Sequence, residues 1–320
     1  MKEFAGMKRR LRPAFQLHSV REFSDPLPEV IRRVGAAGFE GVEFAGRFRD
    51  ADPDAVADAL DETGVEPVAV HAELSAIEAA VEGENDLLDR CETVGCDRLV
   101  VPRVPSWYFC SRWNVRELSY RLTDLSHELD ARDVDIGYHN VRNDLWPFLP
   151  DRVTETLERS PLPAGLATYA SRGLAEFGRD DRNRIPDETG FWNLVARTAP
   201  DDLFFELDVG EVYAAGFDPV AAFEVVSGRV PTIHLRDVAP TGRFGAYEDV
   251  ERGTGVVDTG RVLSAARRAG VEWVVYENEL DAGPDEKLED GAALVRQFFD
   301  DESAASASEG GASPTVGSTR

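Results

Sequence analysis

The sequence predicts an α/β protein in which eight strand–helix units close into one (β/α)8 barrel. Three observations carry that expectation. Short apolar runs alternate with amphipathic segments from Ala14 to Phe299. The runs lack the polar alternation of a one-sided sheet, so they read as strands buried on both faces. Asp-Pro or Ser/Asp caps open many of the segments between them. An open doubly wound sheet is the competing architecture. It calls for a glycine-rich phosphate loop after the first strand, and none stands there.

Residues 14–18 (AFQLH) form the first strand, and Ser24-Asp25-Pro26 caps a helix with Leu27, Ile31 and Val34 on its inner face. Residues 41–44 are the second strand, and Asp52-Pro53 opens a helix facing inward through Val56, Ala57 and Leu60. Residues 65–71, 98–102 and 134–139 read as strands three to five, separated by helices over 77–94 and 114–131. Residues 140–186 are long for a strand-to-helix connection and rich in proline, the mark of a lid or binding insertion. A helix is expected within it at 152–159, and another at 188–198. Strands six and seven, residues 203–207 and 230–235, flank a helix opened by Asp218-Pro219. A helix over 258–269, a strand over 273–277 and a helix over 286–299 complete the barrel. The expected organisation is an N-terminal extension (1–11), a single barrel domain (12–299) with an extended loop after strand five, and a disordered tail (300–320) of small and acidic residues.

The chain carries 60 acidic and 35 basic residues, a net charge of −25. Such a surface repels nucleic acid. The acids are scattered rather than blocked, which reads as a halophilic adaptation to concentrated salt, where screening suppresses self-repulsion. No apolar run approaches the ~20 residues a membrane helix needs. The basic start, MKEFAGMKRRLRP, lacks the apolar core of a signal peptide, so the expected location is cytoplasmic. Cys91, Cys96 and Cys110 are odd in number and contain no CxxC, which favours buried thiols over a disulfide or zinc knuckle.

The chain has five histidines, and four of them (His18, His71, His139 and His234) fall at the carboxyl ends of strands one, three, five and seven. Barrels place their chemistry at that end. Any one of these histidines alone would read as a satisfied rim residue. The set implies a polar cavity. Glu43, Asp208 and Glu277 end strands two, six and eight. Each alone could be a salt bridge. Asp208, His234 and Glu277 come from adjacent strands, and together they offer oxygen and imidazole ligands to one divalent ion. Trp107, Tyr108 and Trp113 follow strand four and suit either an apolar wall beside a ligand or helix packing. Gly253-Thr254-Gly255 reads as a tight turn rather than a phosphate loop.

The phrases FQLHSVREF, GFEGVEFAG, GYHN, FELDVGEVYAAGFDP, RVPTIHLRD and GTGVVDTGRVLSAARRAGVEWVVYENE occur in that order across the barrel. Together they resemble the xylose isomerase-like TIM barrels, in particular the sugar phosphate isomerase/epimerase group. The resemblance implies one divalent metal ion, Mn2+ ahead of Mg2+, Co2+ or Zn2+. Its ligands would be a strand-five carboxylate, Asp208, His234 and Glu277. The family's strand-five run is His-Asn-His followed by Glu. Here the run is His139-Asn140-Val141-Arg142-Asn143-Asp144. Val141 replaces the second histidine, Asp144 stands at the glutamate, and His139 is a substitute ligand. His18 replaces a family aromatic, and Arg236 replaces a lysine.

The implied activity is isomerisation or epimerisation of a sugar or sugar phosphate through an enediolate. Glu277 would be both ligand and base, and Asp144 both ligand and partner acid. His18, His71 and His139 would contact substrate. Arg236 or Arg103 would take a phosphate or carboxylate, with Trp107 beside the sugar. A polyol or hydroxyacid dehydratase on the same site and a non-catalytic sugar-binding protein are the alternatives. A repair endonuclease on this fold would want more histidine ligands and a basic face. No nucleic acid or membrane partner is expected, and barrels of this kind often pair as homo-oligomers.

Overall fold

The computed structural model describes residues 10–149, 182–226, 228–241 and 246–299. Its strands are β1 (Arg12–Gln16), β2 (Gly41–Phe44), β3 (Glu66–His71), β4 (Arg98–Val101), β5 (Asp135–His139), β6 (Phe204–Asp208), β7 (Thr232–Leu235), β8 (Asp237–Pro240), β9 (Tyr247–Val250) and β10 (Trp273–Tyr276). All but β8 and β9 run parallel and close a barrel in the order β1-β10-β7-β6-β5-β4-β3-β2. The helix expected at 152–159, most of the long insertion, residues 1–9 and the 300–320 tail lie outside the described residues.

The helices are α1 (Leu27–Ala36), α2 (Pro53–Thr63), α3 (Leu74–Val81), α4 (Leu87–Val94), α5 (Arg112–Leu129), α6 (Gly190–Arg197), α7 (Val209–Ala214), α8 (Pro219–Val225), α9 (Thr259–Ala269) and α10 (Pro284–Phe298). The caps at Asp52, Asp218 and Asp258 act as the sequence suggests, whereas α1 starts after Pro26 with no side-chain cap from Ser24 or Asp25. Asp52, Asp218 and Asp258 each accept a hydrogen bond from a first-turn backbone N–H, and Pro53 and Pro219 sit where no N–H is missed. Among the described residues no helix is long and apolar enough to cross a membrane.

Three differences from the expected elements bear on the site. The single helix over 77–94 is two helices, because Gly83 adopts φ +77° and ends the first. Helix α7 follows β6 directly, capped by Asp208, whose Oδ1 accepts from Glu211 N at 2.8 Å. After β7 the chain makes an antiparallel hairpin, β8–β9. The Asp237 carboxylate at its base accepts from the N–H groups of Gly253, Gly255 and Val257 at 2.9–3.0 Å. The Gly-Thr-Gly turn therefore wraps an internal carboxylate.

Apolar residues fill the space between barrel and helices. Inside the barrel, Ala14, Val68, Trp273 and Val275 form a small separate cluster at the amino-terminal end. The Arg12 guanidinium lies 4.0 Å over the Trp273 ring and closes that end. The interior is tight: a Cβ on Gly137 would come within 2.2 Å of the Phe204 ring. Gly137→Ala is therefore expected to cost about 1–3 kcal/mol from overpacking, read as a lower urea midpoint. An unshifted midpoint would show that the ring moves aside freely.

Candidate metal centre at the barrel mouth

Strand periodicity sets which side chains meet in the lumen. In β6 (FFELD), Phe204, Glu206 and Asp208 share one face, while Phe205 and Leu207 point to the helices. By the same alternation Thr232 and His234 of β7 point inward, as do Glu43 of β2 and His139 of β5. In the ring of strands β2 stands opposite β6, and β3 opposite β7. Glu43, His71, Glu206 and His234 therefore meet across the barrel. His71 Nε2 is 2.7 Å from Glu206 Oε2 and 3.3 Å from Glu43 Oε2. His234 Nε2 is 2.6 Å from Glu43 Oε2 and 3.2 Å from Glu206 Oε2. Gln16 Nε2 donates to Glu43 Oε2 at 2.5 Å. Ordinary barrels fill this layer with branched apolar side chains.

The mouth lies above this layer. His139, Asp208, His234 and Glu277 each offer a ligand atom, all within 4.8 Å of one another. His234 Nδ1 is 3.1 Å from Glu277 Oε2, and His139 Nε2 is 3.6 Å from Asp208 Oδ2. The hydrogen bonds orient both rings. His139 Nδ1 donates to the Pro102 carbonyl at 3.2 Å, which turns its Nε2 lone pair to the mouth. His234 lies between two carboxylates, Nε2 2.6 Å from Glu43 Oε2 and Nδ1 3.1 Å from Glu277 Oε2, and a metal ion at the mouth would take the place of the Nδ1 proton. A carboxylate behind a ligating imidazole fixes its orientation and raises its basicity.

A divalent ion fits this donor set. His139 Nε2 and Asp208 Oδ2 are buried and complete no hydrogen bond. The Arg236 guanidinium meets Asp208 Oδ2, its Nε 2.8 Å away, so the bare buried acceptor is His139 Nε2, which is costly unless a cation meets it. Two imidazoles and two carboxylates suit Mn2+, Fe2+ or Zn2+.

Charge is balanced across both layers. Burial pulls His71 down, but Glu43 and Glu206 outweigh it and raise it to about 10. Burial likewise opposes the charge on His234, yet Glu206, Glu43 and Glu277 raise it well above the usual histidine range. Burial would raise Glu206, Asp208 and Glu277, but their cationic neighbours hold all three below the ordinary carboxylate range. Arg236 Nε lies 2.8 Å from Asp208 Oδ2 and 3.9 Å from Glu277 Oε2. The same guanidinium pairs with Glu211, and with Asp249 at 3.0 Å. Four carboxylates thus surround Arg236, which argues against the phosphate or carboxylate contact expected of it.

The other expected residues divide clearly. Asp144 stands apart from the group at the mouth. Its Oδ2 accepts from Tyr138 Oη at 2.8 Å and from Val141 N at 2.9 Å. Tyr138 alternates with inward-facing His139, so Asp144 belongs to the outer side of β5. The strand-five donor in the group is His139 instead. His71 sits one layer below the mouth. His18 lies on a 3-10 turn (Leu17–Val20), with its side chain 47% exposed and Nε2 3.8 Å from Glu279 Oε1. Arg103 is exposed, and Trp107 is half-buried with its ring centroid 3.8 Å from that of Tyr108. Sequence reasoning missed Glu206 and Gln16. Each stands two residues before a residue singled out, Asp208 and His18, so period-two counting could have found both. Cys91, Cys96 and Cys110 are buried thiols not joined in a disulfide, and burial pushes the Cys91 thiol up to about 12.

Burial also raises the Asp144 carboxyl to about 8, against the opposing pull of Val141 N–H and Tyr138 O–H. The folded chain then holds a proton that the unfolded chain releases near pH 4. Stability contributed by that proton should fall as pH rises from about 4 to 8 and level off above. Asp144→Asn is expected to remove this slope in urea titrations at pH 5 and pH 8. An equal slope in both proteins would exclude a buried neutral carboxyl.

The class that the fold defines is the closed parallel (β/α)8 barrel, here with carboxylates and imidazoles able to hold a metal ion gathered at its carboxyl-terminal mouth. No protein-family model and no curated protein matches the sequence. Solved structures do match. A sugar phosphate isomerase/epimerase from Parabacteroides distasonis ATCC 8503 is 17% identical over 92% of this chain and 96% of its own, with a TM-score of 0.66. The IolI protein, solved with a binding zinc atom, is 15% identical over 91% of this chain and 100% of its own, with a TM-score of 0.63. The probable 3-DHS dehydratase AsbF from Bacillus anthracis is 13% identical over 89% of this chain and 99% of its own, with a TM-score of 0.62. The chain has the fold of the xylose isomerase-like TIM barrels, as the sequence resemblance implied.

Proposed function

We propose that this protein is a divalent-metal-dependent isomerase or epimerase of a sugar or sugar phosphate, working through an enediolate. The observation that carries the reading is the group His139, Asp208, His234 and Glu277, with the buried His139 Nε2 turned to the mouth and completing no hydrogen bond. A divalent ion held there, Mn2+ ahead of Mg2+, Co2+ or Zn2+, would polarise a sugar carbonyl and acidify the neighbouring C–H.

The chain's own residues supply the rest. Against the effect of burial, His234 and Arg236 hold Glu277 below the ordinary carboxylate range, so it is ionised but weakly basic and would take the carbon-bound proton only once a metal ion had acidified that carbon. Its contact with His234 Nδ1 holds it at the mouth. Asp208 and His139 fix one wall, and Arg236 neutralises the cluster so that four acids can share it. Returning the proton to the adjacent carbon needs only Glu277, which suits isomerisation. Epimerisation needs a second carrier on the opposite face, and Asp144 is tied behind β5. Proton exchange from deuterated water into a panel of ketoses and aldoses, with Mn2+ present, tests the reading. Exchange with interconversion supports it. Tight sugar binding with no exchange would replace it with a sugar-binding role.

A dehydratase reading draws on His71. Raised to about 10, this imidazole is protonated at neutral pH and 5.7 Å, ring to ring, from His139. It could hand a proton to a departing hydroxyl after Glu277 removes the neighbouring one. Loss of water from the product, seen by mass, separates the two activities.

A further inference from the structure

We propose that Glu43, His71 and Glu206 form a second divalent-cation site in the barrel lumen, one layer beneath the mouth. It goes beyond the reading of the mouth as a metal centre, and its three ligands are distinct from those of the mouth.

Four observations carry it. First, the donor set is two carboxylates and an imidazole nitrogen, with His71 Nε2 2.7 Å from Glu206 Oε2 and 3.3 Å from Glu43 Oε2. These three ligand atoms lie within 4.8 Å of one another and of His234, which is kept as a donor to Glu43. Such oxygen and nitrogen sets hold Mn2+, Fe2+ and Zn2+. Second, Oε1 of Glu43 and Oε1 of Glu206 are buried with no hydrogen-bond partner, on residues 0% exposed. A bare buried carboxylate oxygen is costly, and a cation is its natural partner. Third, Thr232 Oγ1 is also buried and unpartnered, on the inward face of β7 in register with Glu206. Fourth, a divalent ion that displaces the His71 Nε2 proton would leave the charge of the two carboxylates matched.

The two sites can fill together. His234 Nε2–H stays a donor to Glu43 Oε2, so the imidazole keeps Nδ1 for the mouth. Entry is from above, where the His71 side chain is 11% exposed while both glutamates are closed off. Loading at this site replaces the proton that His71 Nε2 shares with Glu206.

The test uses Mn2+ alone, added to the metal-stripped full chain and followed by equilibrium dialysis and electron paramagnetic resonance. The wild type should hold close to two ions per chain. Glu206→Gln and Asp208→Asn should each hold about one, and the double variant none. Spin–spin broadening should appear in the wild type and vanish in both single variants. Glu43→Gln should lose the same ion as Glu206→Gln, which keeps the test open if one variant fails to fold. A single ion in the wild type, retained by Glu206→Gln and lost by Asp208→Asn, overturns the lumen site and leaves the mouth reading standing. The reverse pattern overturns the mouth reading and supports the lumen site.

Discussion

Asp208→Ala is expected to strip the barrel mouth of its divalent ion, with affinity falling by more than about 100-fold. Even changes to the groups that hydrogen-bond a metal's ligands cost about 10–100-fold in affinity, and this one removes a proposed ligand. Two effects superimpose. The variant loses the buried carboxylate that faces His139 and Arg236. It also loses the cap on α7, where Oδ1 accepts from Glu211 N, worth about 1 kcal/mol. Asp208→Asn separates them, because asparagine caps as well as aspartate does but carries no charge. Calorimetric titration with Mn2+ should show the affinity loss in both variants and the stability loss mainly in alanine. Cys96→Ala, with its thiol buried behind β4, should keep full affinity. Full metal affinity in Asp208→Ala would end the claim for this centre.

Arg229→Ala is expected to be the most damaging single change to stability, at about 3–5 kcal/mol. Arg229 is only 8% exposed, and its guanidinium donates to the carbonyls of Val195, Thr198 and Leu203 and to Thr198 Oγ1 at 2.7–3.0 Å. It also lies 4.8 Å over the Phe205 ring. Burial pulls it down from its ordinary value to about 10, so it stays charged at neutral pH. Removing it leaves several acceptors unpaired between α6 and β6, the strand that carries Glu206 and Asp208. In a chain of this size the melting temperature should drop by about 5–8 °C. Arg229→Lys should recover little, because an ammonium cannot reach three carbonyls from one plane. A melting shift within about 2 °C for the alanine variant would show that water replaces the guanidinium without penalty.

Much of the barrel was legible before any coordinates. Buried parallel strands read as unbroken apolar runs, and Asp-Pro and Asp caps mark helix starts through bonds made within one turn. The ends of strands six, seven and eight were legible for the same reason, so Asp208, His234 and Glu277 could be placed on adjacent strands by counting. The strand-five donor was not. Asp144 and His139 both lie near the end of β5, and only the course of the chain through residues 142–145 turns one outward to Tyr138 and leaves the other at the mouth.

The sequence by itself determined the eightfold strand–helix alternation and three of the four residues at the mouth. Both depend on local periodicity, which a linear chain records. The tertiary structure alone decided that Glu43 and Glu206, from opposite walls, would share the imidazoles of His71 and His234, and that Arg236 would be enclosed by acids. Those meetings depend on closing the sheet into a ring. Closure fixes distances between residues far apart in the chain, and no local pattern encodes them.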